Sequence, residues 1–257
     1  MNKNHETILI YLYRYRFLKR EQLQKLFKHK NHRTILLWLN QLTKTDYIRR
    51  YYNPKTINTP ALYSLGLKGR AYLKENKRRL KISLTHLNRI WREPELSLQF
   101  RYNCLLIADI YLSLEKLIET TGAKLRFFTK SDLYSVKDLP LPHPDIFFHI
   151  EEIDGVKKYY FLDIFNYFTH QIKFKKRIEQ YYDYYDEDTW QESTDDRPFP
   201  TIIFVCSDKR SYNYINWYLR ENLLEDDNLD FYLTTKKILN TEGLTRHALK
   251  KVMAKVD

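Results

Sequence analysis

Between Met1 and Leu73 the chain fits three short apolar-periodic segments, two strand patterns around a turn-rich stretch, and a glycine-spaced helix start. From His5 to Tyr15, the residues Ile8, Leu9, Leu12 and Tyr15 or Arg16 recur at helical spacing. A second helix is expected from Arg20 to Lys28, with Leu23, Leu26 and Phe27 on one face. Asn31 is a natural N-cap for a third, from His32 to about Thr43, which buries Ile35, Leu39 and Leu42. Three short helices with tight connections form a helix-turn-helix core. Tyr47–Tyr52 then reads as a strand, Asn53–Pro60 as turn and Ala61–Leu65 as a second strand. Gly66-Leu67-Lys68-Gly69-Arg70-Ala71-Tyr72-Leu73 enters another helix.

The charge is concentrated in this same stretch. The 257 residues carry a net +12, but Met1–Ser83 holds 20 Lys and Arg against 4 Asp and Glu, whereas Leu84–Asp257 holds 24 against 28. A surface so biased attracts polyanions, and without an amphipathic membrane helix it is directed at nucleic acid. Helix, helix, helix, hairpin, helix is the winged-helix layout, and Ala61–Leu73 resembles the wing-to-helix junction of winged-helix DNA-binding proteins. In that layout the third helix enters the major groove while the hairpin meets the backbone or the adjacent minor groove. The face turned from Ile35, Leu39 and Leu42 offers His32, Arg33, Thr34, Leu37, Trp38 and Gln41. Arg33, Thr34 and Gln41 suit base edges or phosphates, and Leu37 a thymine methyl. Trp38 suits DNA, the wing or a partner subunit. The wing adds Arg49, Arg50, Tyr51, Tyr52 and Lys55, and a following segment adds Lys74, Lys77, Arg78, Arg79 and Lys81 for phosphates. Residues 1–83 are expected to form this domain.

Residues 84–257 read as a separate α/β domain, which makes the whole an α+β protein. Leu96–Thr121 is an apolar-periodic helix stopped by Gly122. Strands follow at Ala123–Phe128, Asp145–Ile150 and Lys158–Ile164, the last two joined at Asp154-Gly155. A helix at Thr169–Tyr185, a strand at Thr201–Cys206, a helix at Ser211–Asn222 and a strand at Leu229–Leu233 complete the order α-β-β-β-α-β-α-β. Asp183–Asp196, with seven acids and one Trp, reads as an exposed acidic loop, and Thr245–Val256 as a short amphipathic helix that docks or mediates dimers.

Several chemistries are set aside. Five Gly and no GxGxxG or GxxxxGK[ST] string exclude a glycine-rich phosphate loop, and the eight His show no HxxxH or HExxH spacing. Cys104 and Cys206, far apart in apolar runs, read as buried thiols in a reducing compartment. Tyr181, Tyr182, Tyr184 and Tyr185 read as helix-packing residues, because no His cluster stands nearby to serve a nucleophilic Tyr. Neither an 18-residue apolar stretch nor a signal-peptide layout is present, so a cytoplasmic, non-membrane protein is expected.

Pro144-Asp145 opening one strand and Asp163 ending the next resemble the PD-(D/E)xK nuclease-like fold, in which two carboxylates hold Mg²⁺ and a Lys two residues on activates water. Phe165 stands where that Lys belongs, so the site looks degenerate; Lys173, Lys175 and Lys176 on the next helix are the substitutes available. The whole arrangement resembles the replication-relaxation family of plasmids and mobile elements. The residues that carry the resemblance are Pro144-Asp145, the strand Tyr159-Tyr160-Phe161-Leu162-Asp163-Ile164-Phe165, and Lys176 with Tyr181 to Tyr185. It departs where Asp163 replaces a Glu and Phe165 a second acid. The resemblance implies a DNA-binding accessory or regulator of plasmid replication or conjugative transfer. Sequence-specific binding of double-stranded DNA without a cofactor is expected, by a homodimer because one winged helix buries little surface, with a relaxase or replication initiator as the expected partner. The alternative is a Mg²⁺-dependent endonuclease using Asp145, Asp163 and Lys176.

Overall fold

The structure is a computed structural model that describes residues 1–257 except 53–58, 167–170, 195–196, 223–228 and 254–257, and leaves undescribed the side chains of 92–94. It is an α+β protein of two compact units, Met1–Leu112 and Ser113–Asp257.

The first unit begins with α1 (Lys3–Tyr15), whose N-cap Asn2 accepts a hydrogen bond from the His5 backbone N–H at 2.8 Å. Ile8, Leu9 and Leu12 are fully buried, as their spacing requires. The chain turns at Arg16, which takes a positive φ of 67°, into β1 (Leu18–Lys19) and α2 (Arg20–Leu26). Next comes α3 (His32–Lys44), whose expected cap forms: the Asn31 side chain accepts from the Arg33 N–H at 2.8 Å. The hairpin strands are β2 (Ile48–Tyr51) and β3 (Leu62–Leu65), in an antiparallel sheet of order β1-β3-β2. All four β3 residues are buried because the strand is central. At two residues β1 is too short to show alternation, so no sequence pattern announces it.

Gly66 and Gly69 lock the hairpin to α4 (Leu67–Glu75). The Gly66 N–H donates to the Tyr47 carbonyl at 2.9 Å, and a Cβ on Gly69 would lie 2.1 Å from that same oxygen. Gly69→Ala therefore forces helix and hairpin apart and is expected to cost about 1–3 kcal/mol, the range for overpacking. Thermal melting checks it, with the exposed Lys68→Ala as the control.

The basic segment after α4 folds as α5 (Lys77–Leu80), ended by Lys81 in the left-handed region. Then come α6 (Leu84–Arg89), a 3-10 turn at Ile90–Glu95 and α7 (Leu98–Thr121), which begins two residues later than expected. The division between units falls at 112/113, inside α7, rather than at 83/84. Its first half is anchored in the first unit: Cys104 and Leu105 are buried with Phe17 and Leu62, and the Gln22 amide donates to the Leu105 carbonyl and to Asp109, both at 2.8 Å. The added residues 84–112 hold three Arg against two Glu and one Asp, so the first unit keeps the whole +16.

The second unit is a six-stranded mixed sheet with helices packed on it. Its strands are β4 (Lys124–Thr129), β5 (Ile146–Glu151), β6 (Lys157–Ile164), β7 (Thr201–Cys206), β8 (Phe231–Thr235) and β9 (Lys250–Lys251), in that spatial order. The first three form an antiparallel meander, β6, β7 and β8 run parallel, and β9 returns antiparallel. The helices are α8 (Lys130–Leu133), α9 (Gln171–Asp186), α10 (Thr189–Thr194), α11 (Lys209–Asn222) and α12 (Lys236–Glu242). Tyr159, Phe161 and Phe165 of β6 and its extension share a core with Phe174, Ile178 and Tyr181 of α9 and Ile215 of α11. Cys206 is buried there, which pushes its thiol up to about 12.

Two expectations are corrected. The supposed acidic loop is helical through Asp186 and again in α10, because Trp190 is buried against Phe147, Tyr159 and Phe161 and its indole N–H donates to the Arg197 and Pro198 carbonyls; Asp195 and Asp196 lie outside the described residues. The supposed tail helix, as far as Met253, is instead a turn and β9, its last residues lying outside the described ones: pairing with β8 covers an open sheet edge and buries Ala248 and Val252. Among the described residues no helix is long and apolar enough to cross a membrane.

Candidate nucleic-acid interface and a buried carboxylate cluster

The outward face of α3 follows from the inward one. With Ile35, Leu39 and Leu42 buried, His32, Arg33, Leu37 and Gln41 are exposed and Thr34 is half-buried. Gln41 lies beside His5 of α1, which places it at the flank of this face. Leu36, Asn40 and Lys44 are also exposed and extend the face beyond the residues singled out from sequence. Trp38 takes no part in it: its ring packs 5.5 Å from Phe27 and 5.6 Å from His29, pinning the turn between α2 and α3. On the hairpin Arg49 is half-buried, Arg50 and Tyr52 are exposed, and the Arg50 guanidinium lies 5.1 Å from the Tyr52 ring centre. Lys55 lies outside the described residues.

Two of the few acids in this unit are neutralised locally. Glu6 pairs with Arg79 and accepts from the Tyr72 hydroxyl at 2.5 Å, and these contacts hold its carboxyl down at about 2. Glu21 pairs with Arg20 at 2.6 Å. Arg79 is shared with Glu6 while its side chain stays exposed. Lys74, Arg78 and Lys81 are exposed.

In the second unit the expected carboxylates come together. Asp145 stands just before β5 and Asp163 near the end of β6, and each is tied to the other's strand. The Asp145 N–H donates to Asp163 Oδ1 at 3.2 Å, and the Ile164 N–H donates to Asp145 Oδ2 at 2.9 Å. The Asp163 carboxylate is buried, and its Oδ2 accepts from Arg177 Nε at 2.6 Å and from the Tyr181 hydroxyl at 2.8 Å. Arg177 also donates through Nη1 to the Pro142 carbonyl at 2.7 Å and through Nη2 to Tyr181 at 2.9 Å. Burial and then Asp163 raise the Tyr181 hydroxyl well above its ordinary value. Burial alone would lower the Arg177 guanidinium, but Asp163 holds it above the ordinary arginine range. Asp145 is pushed up by burial and by Asp163, against the pull of Lys130, whose ammonium lies at 3.4 Å.

The expected lysine is not part of this cluster: Lys176 is exposed. Phe165 is buried, with ring centres 4.5 Å from Phe174 and 5.2 Å from Phe204. The residues missed in sequence are Arg177 and Lys236. Burial lowers Lys236 to about 8 against the pull of Asp145, and its ammonium donates to Asn166 at 3.1 Å. A divalent ion needs several oxygen ligands of its own. Here a guanidinium nitrogen already sits on Asp163, and among the described residues no three His, Cys, Asp or Glu side chains gather where a metal could be held. The residues present do not fit Mg²⁺.

The family model for replication-relaxation matches residues 9–198. The chain belongs to the replication-relaxation family. No curated protein and no solved structure matches it. The matched span of this replication-relaxation protein includes both α3 with its hairpin and the Asp145–Asp163–Arg177 cluster, whereas Lys236 lies beyond it.

Proposed function

We propose that this replication-relaxation protein binds double-stranded DNA through its first unit, acting as a winged helix-turn-helix accessory or regulator of the replication or conjugative transfer of a plasmid or other mobile element. The observation that carries the reading is the exposed face of α3 beside the Arg49–Arg50 strand, on a unit that holds all the excess positive charge. The order helix, strand, two helices, hairpin, helix with sheet order β1-β3-β2 supports it, since α2 and the hairpin pack on α3 and leave its outer face to a groove. One such unit covers little DNA, so a homodimer on two half-sites supplies useful affinity. A relaxase or replication initiator is the partner of choice, and the cytoplasm the site of action. In this reading the protein is no enzyme and needs no cofactor, and the second unit serves assembly.

Fluorescence anisotropy with labelled duplex across a salt series tests this. With Arg33, Lys44, Arg49, Arg50 and Lys55 on phosphates or bases, the slope of log K against log salt is expected near −4 to −5 per protomer, at about −0.9 per phosphate neutralised. No binding at low salt overturns the reading. Metal-dependent nicking of supercoiled plasmid that disappears in Asp163→Ala overturns the non-enzymatic part of it and restores the endonuclease.

A further inference from the structure

We infer that Arg177 is the resident cation of the carboxylate site: its guanidinium occupies the place at Asp163 that a divalent metal would take, so the pair is closed to metal by occupation and not by loss of its carboxylates. The inference concerns the second unit alone and stands apart from the DNA-binding reading.

Three features carry it. First, the two carboxylates have not been dispersed. Asp145 and Asp163 hold each other's strand through backbone N–H donors that do not involve Arg177, so the pair keeps its geometry when the guanidinium is removed. Second, Arg177 fills the place completely. Nε takes Asp163, Nη1 takes Pro142 and Gln180, Nη2 takes Tyr181, and the guanidinium carbon stacks 4.3 Å from the Tyr181 ring centre. A cation with every nitrogen engaged and its side chain buried leaves no path for a second cation to the same oxygen. Third, the remaining cations are less intimate: Lys130 is at 3.4 Å from Asp145 and half exposed, and Lys236 is held by Asn166. Without Arg177 two acids would face each other across paired strands with partial compensation, and a hard divalent ion is the ligand that relieves such a pair.

Thermal melting of the full chain with and without millimolar MnCl₂ tests the inference, using wild type, Arg177→Gln and the double variant Arg177→Gln/Asp163→Asn. The wild type should show no Mn²⁺ shift, Arg177→Gln should melt lower and regain several degrees with Mn²⁺, and the double variant should lose that gain. A folded Arg177→Gln protein indifferent to Mn²⁺ overturns the inference. So does a wild type stabilised by Mn²⁺ when Asp163→Asn abolishes the effect. Should Arg177→Gln fail to fold, paramagnetic broadening of the wild-type Asp145 and Ile164 amide resonances decides: none at millimolar Mn²⁺ supports occupation by Arg177, and broadening refutes it.

Discussion

Alanine at Arg33, Arg49 and Arg50 together is expected to weaken duplex binding at least about a hundred-fold at moderate salt, with the melting temperature nearly unchanged. The size follows from the contact types. One arginine placed on a base edge is worth about 1–3 kcal/mol, and two on phosphates add to it, so about 3–6 kcal/mol in all separates the triple variant from the wild type. Stability is spared because Arg33 and Arg50 are exposed and Arg49 lies on a strand whose core contacts come from Ile48. The components should separate. On the proposed reading, in which α3 reads base edges, Arg33→Ala should flatten discrimination between duplex sequences. Arg49→Ala/Arg50→Ala should lower affinity for every duplex alike and reduce the salt slope by about two. Anisotropy on a matched and a scrambled duplex at two salt concentrations reads both effects. Unchanged affinity in the triple variant would mean that the hairpin and α3 face something other than DNA.

The parts of this architecture that could be read in the sequence are those in which one strong local pattern decides the outcome. Ile35, Leu39 and Leu42 with Asn31 before them leave α3 one orientation, and the apolar run Thr201–Cys206 is β7 to the residue. The parts that could not be read depend on distant partners. Leu18–Lys19 becomes a strand only because Tyr63 and Leu62 lie alongside. Lys250–Lys251 becomes one because the edge of β8 is open, and this overrides a helical spacing of Leu249, Val252 and Met253. The same holds at the site. Asp145 and Asp163 were legible as a pair, but the choice between Lys176 and Arg177 turns on about 100° of helix rotation. That rotation buries Arg177 over Asp163 and leaves Lys176 in solvent. The usable signal was the i, i+4 spacing of Arg177 and Tyr181 opposite an acid interrupting the apolar alternation Tyr159, Phe161, Phe165.

Asp163→Ala is expected to destabilise the second unit by about 3–5 kcal/mol, and Arg177→Ala by a similar amount, because each leaves its partner as an uncompensated charge in the core. Both side chains are less than a tenth exposed, so water cannot replace the missing partner without opening the packing of α9 on β6. In a unit of this size the loss corresponds to a fall in melting temperature of about 10 °C or more. The double variant Asp163→Leu/Arg177→Met removes both charges and restores apolar volume, and should be much closer to wild type than the sum of the two single losses. Tyr181→Phe should cost about 1–3 kcal/mol, since it deletes one donor to Asp163 and leaves Arg177 Nη2 without its acceptor. Calorimetric melting of wild type, Asp163→Leu, Arg177→Met and the double variant gives the coupling energy directly. If the Asp163 and Arg177 losses simply added, the guanidinium and carboxylate would be independent packing residues. A large coupling shows instead that β5, β6 and α9 are held at this point by one internal ion pair.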